Sequence, residues 1–423
     1  MTYKITKSTL IDDVLIDLPA SKSLSNRALI MQGLCQGSCS ISHLSDCDDT
    51  TVMLNAHSHD TSKYIYEDGY RIIDIGAAGT SMRFLTAFFS AKPEAKVIMT
   101  GSQRMRQRPI SVLVDALRAL GADIEYTEID GFPPLRIKGK RLEGGHLEID
   151  GSISSQYISA LLMIAPTLQQ GLELHLLNNV TSIPYIRMTI SMMEEFGIKS
   201  TWNKNVISIA PQEYNATTYA IESDWSAASY WYEILALSNS IRTIRLKGLR
   251  LDSTQGDCRI ADYFSLLGVR TESCDEGVRI TRTDEPLPEQ VSWDMSNQPD
   301  LAQTVIASCC ALRVNFDICG LHTLRIKETD RITALENELL KLGFIVGDND
   351  DREMMWKGET TVPTIDANPI ATYQDHRMAM AFAPLALVTA DGSILIDNPQ
   401  VVTKSYPTYW NDIQSIGFAI QES

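Results

Sequence analysis

Residues 113–126 read LVDALRALGADIEY and carry the pattern from which the fold follows: an amphipathic helix, a bulky apolar residue, a glycine and a strand. A glycine after the last helical turn supplies the left-handed conformation that ends a helix, and the alternation after it predicts a strand. The pattern recurs in four further segments: ISMMEEFGIKSTW (190–202), IADYFSLLGVRTES (260–273), LENELLKLGFIVGD (335–348) and YWNDIQSIGFAI (409–420).

The spacing of the five glycines indicates a repeated unit. They are Gly121, Gly197, Gly268, Gly343 and Gly417. Their intervals of 76, 71, 75 and 74 residues are nearly constant, which is typical of duplication. A sixth copy would centre near residue 46 and is expected to be shortened, because polar sequence follows its helix. Units of this length exceed solenoid repeats, so we predict an α/β (α+β) chain with three units in each of two domains.

The composition predicts a globular protein and argues against several functional classes. Of the 423 residues, 44% are hydrophobic and 21% are charged, which excludes a disordered, collagen-like or coiled-coil chain. The 53 Asp and Glu residues outnumber the 37 Lys and Arg residues, for a formal net charge of −16. A general binder of nucleic acid or of anionic membranes would carry a basic surplus, so we expect no nucleic acid and no membrane as partner.

The cysteines and the N-terminus favour a cytoplasmic location. Eight cysteines in a chain of this length do not form a disulfide framework, so reduced thiols are expected. The first residues alternate like a strand and lack a signal-peptide pattern. The cysteines and histidines also lack the spacings typical of zinc sites, and we predict no metal site.

Despite the acidic total, cationic residues accompany the starts of several predicted helices. Lys22 and Arg27 lie at the start of the first helix, Gly79 belongs to a GxxG turn between strand and helix, and Arg108 is the last of three arginines in five residues. Hydroxyls and unpaired amides at a helix N-terminus favour an anion. Each feature taken alone is equally compatible with a well-capped surface helix or a solvated loop.

Similar features occur later in the chain. Ser154–Gln156 and Ser182 open apolar helices with neutral hydrogen-bond donors. In RIKETDR (325–331), a helical Glu328 would lie three residues from Arg331. A carboxylate among cations could serve as an acid–base group, and an ordinary surface ion-pair network is the alternative.

Together, these turns fall at about the same point of most units. Duplicated units that face one another would bring the turns together in a positive cleft. In a protein of net charge −16, such a cleft suits small, multiply anionic substrates. From the residues alone we therefore predict a two-domain α/β enzyme that acts on phosphorylated or carboxylated metabolites without a cofactor.

A set of motifs resembles one enzyme family in both number and order. From about residue 18 to residue 407, the chain is similar to 5-enolpyruvylshikimate-3-phosphate synthases, also called 3-phosphoshikimate 1-carboxyvinyltransferases. The matching segments are SKSLSNRAL, DCDDT, AGTSMR, RMRQRPI, DGSISSQ, SDWSAAS, QGD, KETDR, QDHRMAM and TKSYP. A set of this size in the family's order is far more specific than any one motif.

The resemblance implies a fold and a reaction. The fold would be the two-domain enolpyruvyl transferase fold of six βαβαββ units, with residues 20–222 as the first domain and residues 1–19 plus 223–423 as the second. The active site would lie in the interdomain cleft. The reaction would transfer the enolpyruvyl group of phosphoenolpyruvate to the 5-hydroxyl of shikimate 3-phosphate and release phosphate, on the route to chorismate and aromatic amino acids. These two small molecules would be the partners of a monomer that needs no cofactor.

The resemblance also implies the residues that bind each substrate. Shikimate 3-phosphate would be bound by Lys22, Ser23, Arg27, Ser154, Ser155, Gln156, Ser182, Asp300 and Lys327. Phosphoenolpyruvate would be bound by Lys22, Gly79, Arg108, Gln156, Arg331, Arg377 and Lys404. We assign Asp300 as the base for the hydroxyl, Glu328 as the acid at the methylene carbon and Lys22 as a further candidate for proton transfer. The cations would neutralise substrate charge and stabilise the departing phosphate.

Four positions depart from the family pattern. Ala20 replaces a frequent glycine, Ala77 an asparagine, Phe84 a proline and Thr323 a substrate-binding asparagine. These departures bear on affinity and on inhibitor response more than on the reaction. Gly79 leaves room beside phosphoenolpyruvate, so we expect inhibition by glyphosate, the family's competitor at that position.

Three alternatives compete with this interpretation. An enolpyruvyl transferase for UDP-N-acetylglucosamine would use a cysteine in a loop of the first domain, but no cysteine occurs between Cys47 and Cys258. A non-catalytic anion-binding protein on the same scaffold would have no need of both candidate carboxylates. Binding of RNA ends conflicts with the acidic balance and with the lack of aromatic residues among the arginines.

Overall fold

The structure, a computed structural model, describes residues 1–58, 64–349, 353–365 and 368–422. The chain forms two units, each with its own set of sheets. The continuous unit is Ser21–Ile221, and the split unit is Met1–Ala20 together with Glu222–Ser423. None of the described helices combines the length and the apolar character that a membrane crossing requires.

The helices and strands follow one another closely along the described chain. The helices are α1 (Lys22–Leu34), α2 (Asp48–His57), α3 (Gly79–Ala91), α4 (Ser111–Ala119), α5 (Ser155–Ile164), α6 (Ile183–Glu195), α7 (Trp225–Leu237), α8 (Ile260–Leu266), α9 (Ala302–Leu312), α10 (Arg331–Lys341), α11 (His376–Phe382) and α12 (Tyr409–Ser415). The strands are β1 (Thr2–Thr6), β2 (Val14–Asp17), β3 (Ser40–Ser42), β4 (Ile65–Glu67), β5 (Tyr70–Asp74), β6 (Lys96–Thr100), β7 (Asp123–Tyr126), β8 (Leu135–Lys138), β9 (Gly145–Asp150), β10 (Leu172–Leu177), β11 (Thr201–Asn203), β12 (Val206–Ile209), β13 (Thr218–Ala220), β14 (Thr243–Lys247), β15 (Val269–Cys274), β16 (Gly277–Arg282), β17 (Gln290–Asp294), β18 (Asn315–Cys319), β19 (Gly347–Asn349), β20 (Glu353–Trp356), β21 (Ser393–Asp397) and β22 (Ala419–Glu422).

The sheets mix parallel and antiparallel pairs. In the continuous unit the strand orders are β4-β5-β6-β8-β7, β11-β12-β10-β9 and β13-β3. In the split unit they are β15-β16-β14-β2, β17-β18-β20-β19 and β21-β1-β22. The segments β5 to β8, β9 to β12 and β17 to β20 each run strand, helix, strand, helix, strand, strand. This connectivity is consistent with the repeated βαβαββ unit, and the two-stranded sheet includes β3, which lies in the region of the shortened copy.

The first two strands of these segments are parallel and are joined by a helix. A parallel pair needs such a crossover, so α3, α5 and α9 each begin after the carboxyl end of the first strand. Helix N-termini at this edge of α/β sheets are common binding positions for anionic ligands. The local connectivity thus brings helix starts and candidate site residues to the same edge.

The five repeated glycines have the backbone conformation that the sequence predicts. Their φ angles range from +83° to +112°. Each follows a helix (α4, α6, α8, α10 or α12) and precedes a strand. An L-residue with a side chain is strained in this conformation, so glycine is needed where each helix turns back into a strand.

Helices α5 and α7 lie in the interiors of their units, because nearly every residue of each is buried. In α7, Trp225, Tyr230, Trp231 and Tyr232 are at most 1% exposed. A helix that is apolar on all sides is stable only when it is covered on all sides. Polar residues at the end of such a helix are therefore held by a rigid core.

Candidate active site

In the continuous unit, the starts of α1 and α2 hold an ion pair. Helix α1 begins at Lys22, and the hydroxyl of Ser21 accepts a hydrogen bond from the Leu24 amide at 3.4 Å. The Lys22 Nζ lies 3.3 Å from Oδ2 of Asp49, whose side chain is only 4% exposed. The sequence predicted Lys22 as a site residue but did not predict its carboxylate partner.

Arg27 is buried among neutral groups in the continuous unit. Its Nε donates to the Thr189 hydroxyl at 2.7 Å and its Nη1 to the Ser23 carbonyl at 2.9 Å. Nη2 lies 3.4 Å from the Ser159 hydroxyl and 3.5 Å from the Tyr185 carbonyl. Burial lowers the pKa of Arg27 to about 10, so the group is still charged at neutral pH. Among the described residues, Arg27 has no carboxylate partner. A buried guanidinium of this kind favours the binding of an anion.

Two more buried arginines converge on the first residue of α3. A Cβ placed on Gly79 would lie 2.6 Å from Nη1 of Arg108 and 2.7 Å from Nη1 of Arg83. Arg83 Nη1 also donates to the Gly79 carbonyl at 2.8 Å. Both arginine residues are less than 7% exposed. Two guanidiniums beside the positive end of a helix form a strongly anion-attracting site.

The starts of α5 and α6 lie in the same unit. Ser154 caps α5 by accepting from the Gln156 amide at 3.4 Å, and Gln156 Nε2 donates to the Thr80 hydroxyl at 3.1 Å. Since Thr80 follows Gly79 in α3, this bond links the two helix starts. Ser155 is buried beside Ser154, and Ser182 precedes α6 with a left-handed φ of 55°.

In the split unit, one guanidinium holds three carboxylates. Arg331, which is 1% exposed, donates from Nε to Oδ2 of Asp375 at 2.7 Å, from Nη1 to Oδ1 of Asp300 at 2.9 Å and from Nη2 to Oε2 of Glu328 at 2.9 Å. Burial alone would lower the pKa of Arg331, but these carboxylates raise it above the ordinary value for arginine. The two candidate catalytic carboxylates are therefore held by neighbouring nitrogen atoms of one side chain.

Asp300 is surrounded by further cations. Lys327 Nζ lies 3.5 Å from its Oδ1, and Arg377 Nη2 lies 3.4 Å from its Oδ2. Burial alone would raise the pKa of Asp300, but the charges of Lys327, Arg377 and Arg331 hold it well below its ordinary value. Asp300 is therefore ionised throughout the neutral range, and 26% of its side chain is exposed to receive a ligand.

Glu328 and Lys404 form a second contact in this cluster. Lys404 Nζ donates to Oε1 of Glu328 at 2.9 Å, and the two side chains are 9% and 14% exposed. Glu328 does not lie in a helix as the sequence pattern allowed, because α10 begins at Arg331 with Asp330 as its cap. The spacing of three residues still brings Glu328 to Arg331.

Within each unit, the structure brings the singled-out residues together. The split unit unites Asp300, Lys327, Glu328, Arg331, Arg377 and Lys404 in one ion-pair network. Asp375 caps α11 by accepting a hydrogen bond from the Arg377 amide at 3.0 Å. Its ion pair with Arg331 was missed, since a separation of 44 positions along the chain leaves no local signal.

Tyr230 of α7 is a further neighbour that sequence analysis missed. Burial raises the pKa of Tyr230 to about 12, and the charge of Arg377 acts in the opposite direction. The phenol is therefore neutral at physiological pH and can act as a hydrogen-bonding group beside the cluster. Its position in an apolar helix gives no sequence signal other than that of a core residue.

Comparisons with known proteins agree with these observations. The family model described as EPSP synthase (3-phosphoshikimate 1-carboxyvinyltransferase) matches residues 7–413. Over 407 residues the chain is 50% identical to a 3-phosphoshikimate 1-carboxyvinyltransferase of Bacteroides fragilis (strain YCH46), with 96% of each chain covered. A protein of the same description from Histophilus somni (strain 2336) is 36% identical over 423 residues, with 95% of this chain and 96% of that one covered.

A comparison of structures supports the fold. A solved structure of an EPSP synthase from Acinetobacter baumannii matches with a TM-score of 0.75 at 20% identity and covers 100% of both chains. The predicted α/β fold is thereby confirmed. Because one family model spans almost the whole chain and a relative shares half of its residues, the chain belongs to the EPSP synthase (3-phosphoshikimate 1-carboxyvinyltransferase) family.

Proposed function

We propose that this chain transfers the enolpyruvyl group of phosphoenolpyruvate to the 5-hydroxyl of shikimate 3-phosphate and releases phosphate. This is the activity for which its relatives are named. The observation that carries the residue roles is the grip of Arg331 on Asp300 and Glu328 through Nη1 and Nη2. This arrangement places a candidate base beside a candidate acid. The addition needs both, because one group must accept the proton of the hydroxyl and another must donate a proton to the methylene carbon.

The binding roles divide between the units. We propose that Arg331, Arg377 and Lys404 of the split unit act on phosphoenolpyruvate together with Lys22, Gly79, Arg108 and Gln156 of the continuous unit. Shikimate 3-phosphate is assigned to Lys22, Ser23, Arg27, Ser154, Ser155, Gln156 and Ser182 of the continuous unit and to Asp300 and Lys327 of the split unit. Buried cations at helix N-termini support these roles, because they favour phosphate and carboxylate groups.

In the proposed addition step, Asp300 accepts the proton of the 5-hydroxyl of shikimate 3-phosphate. At the same time, the oxygen of that hydroxyl forms a bond to C2 of phosphoenolpyruvate. The electron pair of the C2–C3 double bond takes a proton at C3 from Glu328. Lys404, whose Nζ lies 2.9 Å from Glu328 Oε1, is the neighbouring source of that proton. Lys22 remains a second candidate for proton transfer.

In the proposed elimination step, Glu328 takes the proton back from C3 and the double bond reforms. The bond from C2 to the phosphate oxygen breaks, and the phosphate leaves with the proton that Asp300 had accepted. Glu328 then passes the proton from C3 back to Lys404, so both carboxylates and the ammonium group of Lys404 return to their starting states. The surrounding Arg and Lys side chains stabilise the negative charge of the departing phosphate.

The cations that lower the pKa of Asp300 are also proposed to bind the substrates. Lys327, Arg377 and Arg331 keep Asp300 ionised, which readies it to accept a proton but weakens it as a base. Anionic substrates that pair with these cations withdraw part of that charge from Asp300. We therefore propose that Asp300 becomes a stronger base once the anionic substrates are bound, which is when the reaction can proceed.

Location and assembly state are part of the same proposal. All eight cysteines lie among the described residues and are free thiols rather than disulfides. Free thiols suit a reducing compartment, so we assign the protein to the cytoplasm. We also propose that it acts as a monomer. Gel filtration with light scattering would check the monomer, which a stable dimer mass would contradict.

The activity is tested by measuring phosphate release from phosphoenolpyruvate with each of two acceptors. We expect release with shikimate 3-phosphate and none with UDP-N-acetylglucosamine. Release with the nucleotide sugar alone would overturn the choice of acceptor. If protein that unfolds cooperatively, and is therefore folded, releases no phosphate with either acceptor, the catalytic assignment would be overturned.

A further inference from the structure

Four histidine and glutamate side chains form a square on one face of a sheet in the continuous unit. His146 and Glu148 lie two residues apart on β9, and Glu173 and His175 lie two apart on β10. The strands are parallel, with Glu173 opposite His146 and His175 opposite Glu148. Residues two apart share a face of a strand, so all four side chains project from the same side.

The opposite face of these strands is apolar. Leu147, Ile149, Leu174 and Leu176 are at most 7% exposed. Since the buried face fixes the register, the histidine and glutamate positions cannot slide relative to one another. The square thus stands on a rigid support.

The distances within the square are close to those of a metal site. His146 Nε2 lies 3.7 Å from Oε1 of Glu148, and the rings of His146 and His175 are 4.4 Å apart between centroids. Ligand atoms of His146, Glu148 and His175 all lie within 4.8 Å of one another. Bonds of 2.0–2.1 Å to a tetrahedral Zn²⁺ separate ligand atoms by roughly 3.3 Å, so small side-chain rotations suffice.

Glu173 supplies a supporting contact. Its Oε1 lies 2.9 Å from His175 Nε2 and 3.5 Å from His146 Nδ1. A carboxylate that accepts from one ring nitrogen of a histidine leaves the other nitrogen to bind a metal and fixes the ring orientation.

We propose that His146, Glu148 and His175 bind one divalent transition-metal ion, with Zn²⁺ as the reference ion, and that Glu173 orients the histidine rings. Two imidazoles and carboxylates match the ligand preference of Zn²⁺. The two carboxylates of the square also balance a charge of +2. None of the four residues belongs to the sets proposed for the substrates, so this site is separate from the proposed chemistry.

The sequence alone predicts no such site. HLE at 146–148 and ELH at 173–175 lack the spacing of known zinc motifs, and a gap of 24 residues separates them. Parallel pairing of β9 with β10 creates the cluster. The alternative is a pair of ordinary cross-strand contacts, which contribute little to stability and bind no metal.

The test is calorimetric titration of the full-length protein with ZnCl₂ at pH 7.5, compared with His146→Gln, His175→Gln and Glu148→Gln. We expect one site per chain, and each substitution should weaken binding at least tenfold. The matched control is His322→Gln, which changes an exposed histidine of the split unit and should stay within twofold of the parent. Glutamine keeps a polar side chain at an exposed position, and unfolding temperatures without metal would verify that the variants are folded.

Two results would overturn the site. The first is that calorimetry detects no binding of Zn²⁺ to the parent protein. The second is that the His146→Gln/His175→Gln double variant binds Zn²⁺ as the parent does, which would assign the binding to thiols or other surface groups. Phosphate release by the double variant should equal that of the parent. Loss of metal binding with normal turnover therefore separates this proposal from the proposed function.

Discussion

Arg27 of the continuous unit and Arg331 of the split unit are the same side chain in opposite surroundings. Both are at most 3% exposed. Arg27 contacts two hydroxyls and two carbonyls, whereas Arg331 contacts three carboxylates. Burial lowers the pKa of Arg27 to about 10, while the carboxylates raise that of Arg331 despite its burial.

The difference separates two uses of a buried cation. A guanidinium with neutral partners keeps its charge available for an anion that arrives later. A guanidinium that is already paired serves to hold carboxylates at fixed positions. The same residue type therefore supports binding in one unit and acid–base chemistry in the other, and only the partners decide which.

The strongest test of this comparison replaces each arginine by methionine. Arg331→Met should lower the free energy of unfolding by about 3–5 kcal/mol, because it leaves the fully buried carboxylate of Asp375 without its arginine partner and removes one counter-charge each from Asp300 and Glu328. Arg27→Met should cost no more than about 1 kcal/mol, because it strands no charge and the Thr189 and Ser159 hydroxyls still bond to each other at 2.9 Å. Urea unfolding of both variants measures the two values.

The Arg27 variant is the matched control for the Arg331 variant. Its binding of shikimate 3-phosphate should nevertheless weaken about tenfold or more, as measured by calorimetry, because a charged hydrogen-bonding partner is lost. Equal stability losses in the two variants would contradict the distinction between paired and unpaired cations.

The next effect concerns catalysis by the paired cluster. Glu328→Gln should lower kcat about 10²-fold or more with little change in KM, because the amide cannot deliver a proton to C3. Steady-state phosphate release measures both constants. Glu272→Gln changes a carboxylate that is half exposed on β15 and should behave as the parent does. Near-normal turnover of Glu328→Gln would remove Glu328 from the proposed mechanism.

A smaller effect is expected at Gly79 of the continuous unit, where Arg83 and Arg108 converge. Gly79→Ala would place its Cβ 2.6 Å from Arg108 Nη1 and 2.7 Å from Arg83 Nη1, so both buried guanidiniums must move. We expect KM for phosphoenolpyruvate to rise about tenfold, since a displaced binding group loses affinity and orientation. Inhibition by glyphosate, expected for the parent, should weaken in parallel.

The control for Gly79→Ala is Gly347→Ala. At Gly347 a Cβ would meet its nearest atom, Met355 Cγ, at 3.9 Å, and φ is not left-handed. This variant should keep the parent's KM. If Gly79→Ala also keeps it, the convergence of Arg83 and Arg108 on Gly79 does not serve phosphoenolpyruvate.

The smallest effect extends the comparison to carboxylates. Asp300 is paired with cations and has a pKa well below its ordinary value, whereas burial raises the pKa of Glu233 in α7 well above 4.5, with the Ser308 hydroxyl acting in the opposite direction. Between pH 4.5 and its raised pKa in the folded state, Glu233 is therefore protonated when folded and ionised when unfolded.

That difference gives a sign for the pH dependence. The folded state binds one more proton than the unfolded state above pH 4.5, so the contribution of Glu233 to stability falls as the pH rises towards its folded pKa. The stability of Glu233→Gln relative to the parent should therefore improve between pH 5 and pH 8. Urea unfolding at both pH values checks this, with Glu272→Gln as the exposed control. An improvement on acidification would reverse the assignment.

Much of the fold could be predicted from local patterns. The repeated glycines end helices by adopting a left-handed φ, and that requirement leaves a mark in the sequence at a regular interval. The pairing of β2 with β14 leaves no such mark, because the whole continuous unit separates the two strands. Neighbours in a sheet are chosen by burial of a shared apolar face, which no single segment reveals.

The candidate site was predictable residue by residue but not contact by contact. Lys22, Arg108 and Arg331 stand at or near helix starts, and their charge and position are visible in the sequence. Their surroundings are not, since the Asp49 partner of Lys22 and the Asp375 partner of Arg331 come from distant segments. Electrostatic partners depend on distance in space, and sequence separation says little about that distance.

The sequence by itself determined the α/β class, the helix ends and the supply of cations at helix starts, because these follow from backbone conformation and from periodicity within a few turns. Only the tertiary structure decided that Arg27 meets neutral partners, that Arg331 grips three carboxylates and that His146 faces His175 across two strands. Charge, pKa and metal-ligand geometry depend on groups within a few ångströms of each other. Folding brings such groups together from segments that share no local pattern.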